Sequence, residues 1–157
     1  MSDTRSAESA STAGPWYILN LLGFLLLVVG GWNLFNPLFP LQVGATEWEF
    51  GTASSFFDTV PLFGLGLGFL MASGLAGGKR IQVRTAAMVC ILLALLLWLA
   101  AGLYATVVPQ ALNAAPSPLA LTALKKAVSK AAVEILIYPV GFIWLGVWAW
   151  RRTLSRR

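Results

Sequence analysis

Hydrophobic positions fill four long blocks of the chain, and shorter stretches richer in polar residues separate them. The blocks cover residues 16–35, 61–77, 85–108 and 132–150. A helix needs roughly 20 mostly apolar residues to cross the hydrocarbon core of a bilayer. The pattern therefore predicts four membrane-spanning helices in a domain of residues 15–152, between a disordered tail of residues 1–14 and a basic tail of residues 153–157.

The stretch between the first two blocks, residues 36–60, contains acidic and aromatic residues but no lysine or arginine. Four large aromatic side chains lie in its second half, namely Trp48, Phe50, Phe56 and Phe57, and a fully solvated loop would not need them. We therefore expect a short element around residues 46–57 that lies on the membrane surface, with its rings among the lipid headgroups. This loop is the expected binding region for a partner.

Prolines set the expected limits of the later helices. Pro61 fits the first turn of the second helix, and Pro109 is expected to end the third before a loop of residues 109–118. The helical period returns in residues 119–131, where apolar positions form one stripe. The fourth helix is therefore predicted to begin with this amphipathic segment outside the hydrocarbon and to be kinked at Pro139.

The composition excludes an ordinary soluble domain. Of the 157 residues, 58% are hydrophobic and 11% are charged, and the mean hydropathy is +0.77, whereas soluble domains carry about 25% charged residues. Too few polar side chains remain to cover a soluble surface. The predicted fold class is an all-α integral membrane protein, a bundle of four transmembrane helices with a short interfacial element in its first external loop.

The distribution of basic residues predicts the orientation. Eight of the 11 lysines and arginines lie near the two ends of the chain and in residues 79–84, whereas Lys125, Lys126 and Lys130 lie on the other side of the predicted membrane. Both termini are therefore expected in the cytoplasm. The basic residues cluster beside the apolar blocks, so membrane topology beside the lipid bilayer explains the net charge of +5 better than a nucleic-acid partner does. No basic-aromatic motif indicates nucleic acid as a partner.

Residues that support catalysis are scarce. The sequence has no histidine and one cysteine, Cys90, inside an apolar block. It shows no set of nucleophile and base and no cluster of metal ligands, so it predicts no enzyme and no cofactor or metal. Glu134, the only acidic residue near a spanning block, is expected to pair with Lys130 at the membrane edge, with a proton or cation site as the alternative.

Small residues recur at a spacing of four in the second block, at Gly64, Gly68, Ala72 and Ala76. On a helix they form one ridge, and such ridges let helix backbones approach closely. We expect this ridge to pack against another helix of the same chain or, alternatively, against a second copy.

Three segments follow one another between residues 35 and 70: FNPLFPL after the first block, TEWEFGTASSFFDT in the loop, and VPLFGLGLGFL at the second block. This order of Asn-Pro, loop Trp and Pro-Leu-x-Gly-Leu is similar to the membrane part of HpsJ-like proteins, which are linked to hormogonium polysaccharide in cyanobacteria. It also resembles uncharacterised four-span bacterial membrane proteins. The resemblance implies a bacterial inner membrane and brings no catalytic residues. HpsJ-like chains typically carry a longer polar segment before the last span.

These observations favour a non-enzymatic accessory or assembly subunit of a bacterial inner-membrane complex, which acts through helix packing and the aromatic external loop. Its expected partners are the lipid bilayer and either another membrane protein or a second copy. One alternative is a small oligomeric transporter or channel that uses Glu134. Another is an edge subunit of a pigment or electron-transfer complex, where a chain without histidine lacks the commonest pigment ligand.

Overall fold

The computed structural model describes residues 14–155, and this part of the chain folds into four long helices with no strand. They are α1 (Gly14–Phe35), α2 (Thr46–Ala76), α3 (Arg80–Asn113) and α4 (Pro118–Leu154), with a short 3-10 helix at Asn36–Leu38 after α1. Each long helix has the length and apolar composition to cross a membrane. The fold agrees with the predicted all-α bundle. Most of the predicted N-terminal tail and residues 156–157 lie outside the described residues.

Consecutive helices run antiparallel, so the bundle has two different ends. At the first, which we call the turn end, the Ser73 hydroxyl of α2 donates to the Trp16 carbonyl of α1 at 2.9 Å. At the second, which we call the loop end, Phe50 of α2 packs on Tyr104 of α3, with ring centroids 5.4 Å apart. The loop end also carries the connections formed by residues 36–45 and 114–117.

The core lies where α2, α3 and α4 meet. α2 packs against both neighbouring helices and, over fewer residues, against α4, whereas α1 packs mainly on α2. The largest fully buried side chains are Phe57, Leu67, Met71, Leu97, Val83, Pro139 and Cys90. Apolar side chains of α1 stay outside this core, as for Leu21 at 68% and Phe24 at 62% exposure. Such exposure suits a helix whose outer face contacts lipid, because lipid tails are as apolar as leucine.

The backbones of α1 and α2 come closest at Gly23 and Gly66. A Cβ atom on Gly66 would lie 2.9 Å from the Gly23 carbonyl oxygen, and a Cβ on Gly23 would lie 2.8 Å from the Gly66 carbonyl oxygen. Real Cβ atoms do not approach backbone oxygens so closely, so only glycine fits at either position. Two glycines therefore determine how closely α1 packs on the rest of the bundle.

A single side chain ties three helices together at the turn end. The amide nitrogen of Gln82, in the first turn of α3, donates to Asn20 Oδ1 of α1 and to the Leu70 carbonyl of α2, both at 2.8 Å. An amide nitrogen carries two hydrogens, so both are used. Gly78, in the turn just before α3, has a φ of +68°, which glycine adopts without steric cost.

Two prolines that were expected to mark helix limits lie inside helices instead. α2 begins at Thr46 and continues through Pro61, and α3 continues through Pro109 to Asn113. The expected separate surface element at residues 46–57 is therefore wrong, because these residues are the first turns of α2. A proline removes one backbone hydrogen bond, but ending the helix at Pro61 would leave several backbone groups without partners in apolar surroundings.

The fourth block and its amphipathic lead-in form one helix. α4 contains residues 119–131, the predicted span and Pro139 without interruption. The Ser117 hydroxyl caps its start by accepting from the Ala120 N–H at 3.2 Å. The predicted loop of residues 109–118 is thus reduced to residues 114–117, since α3 and α4 both extend into it.

The glycine contact between α1 and α2 predicts different effects on stability for two neighbouring substitutions. Gly66→Ala should lower the free energy of unfolding by about 1–3 kcal/mol, because its Cβ meets a backbone oxygen that cannot move alone. Gly68→Ala, the matched control, has nothing within 4 Å of its Cβ and should be neutral or stabilising by up to about 1 kcal/mol. Unfolding by SDS in mixed micelles measures both. Equal effects would contradict the assigned contact.

Candidate functional site

Three of the helices extend beyond α1 at the loop end. α1 has 22 residues, whereas α2, α3 and α4 have 31, 34 and 37. At 1.5 Å per residue, α1 is about 33 Å long and the others about 46–56 Å. The contacts at the turn end place the start of α1 beside the end of α2, so the additional length lies mainly at the loop end. We call this extension the head, formed by residues 46–60, 104–113 and 118–134.

The head has an aromatic core. Phe50 and Phe57 are 9% and 1% exposed, and both pack on Tyr104, with the Phe57 and Tyr104 centroids 5.5 Å apart. Residues seven apart lie on one face of a helix, which explains why both rings point at α3 and not at lipid headgroups as expected. Phe56 and Trp48 are half-buried on the neighbouring face of α2.

A charged cluster joins α2 to α4 at the base of the head. Lys130 forms an ion pair and a hydrogen bond with Asp58, and its Nζ lies 3.8 Å from Glu134 Oε1. The sequence predicted the contact with Glu134 from the spacing of four. It gave no sign of Asp58, which lies 72 positions away. The side chains of Lys130 and Asp58 are 60% and 53% exposed, whereas that of Glu134 is 11% exposed.

The different exposures of these three side chains indicate the role of the charged cluster. Ion pairs between exposed groups contribute little, because water and salt screen both charges. Glu134 is largely removed from water, so its carboxylate depends on Lys130 for compensation. The cluster of Lys130, Asp58 and Glu134 therefore holds the first half of α4 against α2, and we call it the clasp.

A groove opens on the outer part of the head, between the start of α2, the end of α3 and the start of α4. Its volume is about 510 Å³. Phe50 and Leu124 line it together with six alanines, which are Ala111, Ala114, Ala115, Ala120, Ala123 and Ala127. Small side chains leave room for another backbone to approach. The groove is therefore shaped for contact with a further helix or extended segment.

The predicted ridge of small residues is mostly not used within the described chain. A Cβ on Gly64 would lie 3.4 Å from the Phe142 ring of α4, whereas Gly68 has open space around it. Ala72 and Ala76 are exposed. The contact with α1 instead uses Gly66, which lies between the ridge positions on another face of α2. Three of the four ridge residues thus remain on the outer surface of the monomer.

No group of three histidine, cysteine, aspartate or glutamate side chains comes together to hold a metal within residues 14–155. Cys90 is buried in α3. What the described residues do bring together is an aromatic core, an ion-paired clasp and an alanine-lined groove, all in the head.

The chain matches no protein-family model, no curated protein and no solved structure. The similarity of residues 35–70 to HpsJ-like proteins stays a prediction.

The clasp predicts that Lys130 matters more than other exposed lysines of α4. Lys130→Gln should lower the free energy of unfolding by about 1 kcal/mol, because Glu134 loses its compensating charge. Adding Glu134→Gln should restore part of this loss, since the uncompensated charge is then gone. SDS titration of the single and double variants measures the coupling.

Lys125→Gln is the matched control for the clasp. Lys125 is an exposed lysine of α4 for which the structure of residues 14–155 shows no ion pair. Its replacement should change stability by less than about 0.5 kcal/mol. If Lys125→Gln and Lys130→Gln were equally destabilising, the clasp would have no role in holding α4.

Proposed function

We propose that this chain is a non-enzymatic accessory or assembly subunit of a bacterial inner-membrane complex, and that its head binds a partner protein outside the membrane. The observation that carries the proposal is the alanine-lined groove of the head. It is open and apolar, and it lies beyond the approximately 30 Å that the hydrocarbon core occupies. Exposing an apolar groove to water is unfavourable for a monomer, and a bound partner would cover it.

The chemistry of the groove supports a helical or extended protein segment as the partner. Alanines on both walls allow a backbone to approach closely, which gives many van der Waals contacts over a short length. Phe50 and Leu124 supply larger apolar surface between them. Glu47 on its lining adds one acidic group, which favours a partner segment with a basic side chain at that position.

The charge distribution supports a head on the external side. The turn end carries Lys79, Arg80 and Arg84, and Arg151 and Arg152 lie at the end of α4 beside it. The head carries three lysines and four acidic residues, namely Lys125, Lys126, Lys130, Glu47, Glu49, Asp58 and Glu134. The end with the larger excess of lysine and arginine is expected in the cytoplasm. The partner would then be a membrane protein with an external part, or a second copy of this chain.

The surroundings of Glu134 favour this function over a transporter that uses its carboxyl group. Glu134 lies in the head with Lys130 beside it, and Lys130 also binds Asp58. A carboxylate held by a lysine across two helices acts as a structural contact, whereas a transported cation requires that carboxylate as its own ligand. The third alternative, an edge subunit of a pigment or electron-transfer complex, is one form of the accessory subunit proposed here.

The groove predicts that filling it abolishes assembly. Ala123→Trp places a large ring in the groove, and Ala132→Trp places the same ring on an exposed position of α4 that does not line it. After gentle solubilisation, native sizing of the full chain should show a complex larger than the monomer for the wild type and for Ala132→Trp. Ala123→Trp should run mainly as the monomer.

Mass spectrometry of the same fractions identifies the protein that is present with the wild type and absent with Ala123→Trp. Circular dichroism checks that both variants keep the helix content of the wild type. A wild-type chain that always runs as an isolated monomer would exclude an accessory subunit. A complex that survives Ala123→Trp would exclude the groove as its binding surface.

A further inference from the structure

The outer face of α4 carries a row of side chains that no other helix of residues 14–155 covers. The row lines an open groove of about 640 Å³, and every residue that lines this groove belongs to α4. Its members recur every three or four residues, which places them on one side of the helix. We call this surface the α4 stripe and define it by its six exposed residues, namely Val140, Trp144, Val147, Trp148, Arg151 and Arg152.

Positive charge collects at the end of the molecule where the α4 stripe finishes. Arg151 and Arg152 lie there, beside the basic residues of the turn end at positions 79–84. The four acidic side chains within residues 14–155 all lie in the head, at the opposite end of the bundle. The described chain therefore offers no carboxylate to these two arginines, and their charge attracts an anion from outside.

Two tryptophan rings hold Arg152 along the stripe. Its guanidinium carbon lies 5.3 Å from the centroid of the Trp148 ring. Trp148 in turn stacks on Trp144, with centroids 6.5 Å apart and an angle of 20° between the ring planes. A guanidinium held over a ring keeps N–H donors at its edge for a further acceptor. Arg152 also lines a small cavity of about 250 Å³ together with Arg80.

Other cations at the turn end already have partners within the chain. Arg84 donates from Nε to the Thr153 hydroxyl at 3.1 Å, and the Lys79 ammonium lies 5.8 Å from the centroid of the Tyr17 ring. For the side chain of Arg151, the structure of residues 14–155 shows neither a hydrogen bond nor an ion pair. The free donors of the turn end thus include those on the α4 stripe.

The depth of the stripe matches one leaflet of a bilayer. Arg152 lines its small cavity together with Gly74 of α2, and the neighbouring Ser73 bonds to Trp16 near the start of α1. α1 has about the length that crosses the hydrocarbon core, so its start marks one membrane boundary. At 1.5 Å per residue, Val140 lies about 18 Å deeper than Arg152, slightly more than half of the approximately 30 Å core.

The chemistry of the stripe limits what covers it. Arginine binds phosphate oxygens through charge-assisted hydrogen bonds, often two at a time. A zwitterionic phospholipid adds a cationic group, which the positive charge of the turn end repels. A second copy in the same orientation would bring arginine against arginine, since no acidic residue of the described chain lies at this end. A phospholipid with net negative charge fits better than either.

We propose that the α4 stripe binds an anionic phospholipid. Arg151 and Arg152 hold its phosphate group, and an acyl chain lies along the rings of Trp144 and Trp148 towards Val140. The exposed fractions of Trp144 and Val140, 66% and 62%, leave this path open to the membrane. The inference does not depend on the proposed partner of the head.

The test uses the full chain, purified in detergent and freed of lipid. The probes are dioleoyl phosphatidylglycerol, dioleoyl phosphatidylcholine with the same acyl chains, and inorganic phosphate. The rise in Tm with each probe measures its binding, and native mass spectrometry counts the bound lipids. We expect phosphatidylglycerol to bind about fivefold or more tightly than phosphatidylcholine. Inorganic phosphate at the same concentrations should not raise the Tm, because it lacks acyl chains.

Two substitutions remove the proposed phosphate ligands, and a third is the matched control. Arg151→Gln and Arg152→Gln should each weaken phosphatidylglycerol binding roughly three- to tenfold, because each loses one cation beside the phosphate. Lys79→Gln removes the same charge from the turn end but lies outside the groove. It should change binding by less than about twofold, since salt screens charges that are not in contact. All three positions are exposed, and circular dichroism checks that helix content is kept.

Four results would overturn the proposal. Phosphatidylcholine could bind as tightly as phosphatidylglycerol, or inorganic phosphate as tightly as the lipid. Equal losses in Lys79→Gln and Arg152→Gln would mean that overall charge attracts the lipid and that the stripe is no site. A lipid-free dimer that Trp144→Ala converts to monomer would assign the stripe to a second copy instead. The comparison of probes on the wild type decides even where a variant fails to fold.

Discussion

A bilayer's hydrocarbon core is about 30 Å thick, and of the four helices only α1 has close to the length that this thickness requires. The other three are 31, 34 and 37 residues long, so part of each must leave the hydrocarbon. The contacts of Trp16 with Ser73 and of Asn20 with Gln82 align the helices at the turn end. The additional length of α2, α3 and α4 therefore lies at the loop end. There it forms the head, in which the three helices pack against one another.

Within the bilayer, apolar side chains gain little by leaving lipid for another helix, so close contact and hydrogen bonds must hold the helices together. Two pairs of helices in this bundle are held by a close backbone approach at glycine. α1 meets α2 at Gly23 and Gly66, and α4 meets α3 at Gly146, where a Cβ would lie 2.9 Å from the Ala87 carbonyl oxygen. In the head, the aromatic core and the clasp of Lys130 take over this role.

The apolar blocks of residues 16–35 and 85–108 predicted α1 and the middle of α3, because long hydrophobic runs have one outcome in a membrane. The sequence did not predict that α2 continues through Pro61. The local preference of proline argues for a helix start, and only the apolar surroundings of the folded chain decide against it. The spacing of seven between Phe50 and Phe57 did carry a usable signal, since both fall on one helix face. Asp58 as the partner of Lys130 depends on tertiary folding and has no local signal.

The position of Gln82 has a consequence for how the chain is built. α1 and α2 precede α3 in the chain, and the donor that joins Asn20 Oδ1 of α1 to the Leu70 carbonyl of α2 comes from α3. Gln82 lies in the first turn of α3, so this bridge needs only the first residues of α3 in addition to α1 and α2. Three helices are thus connected at one point within a few residues of the turn between α2 and α3, so the register of α1, α2 and α3 depends on a single amide side chain.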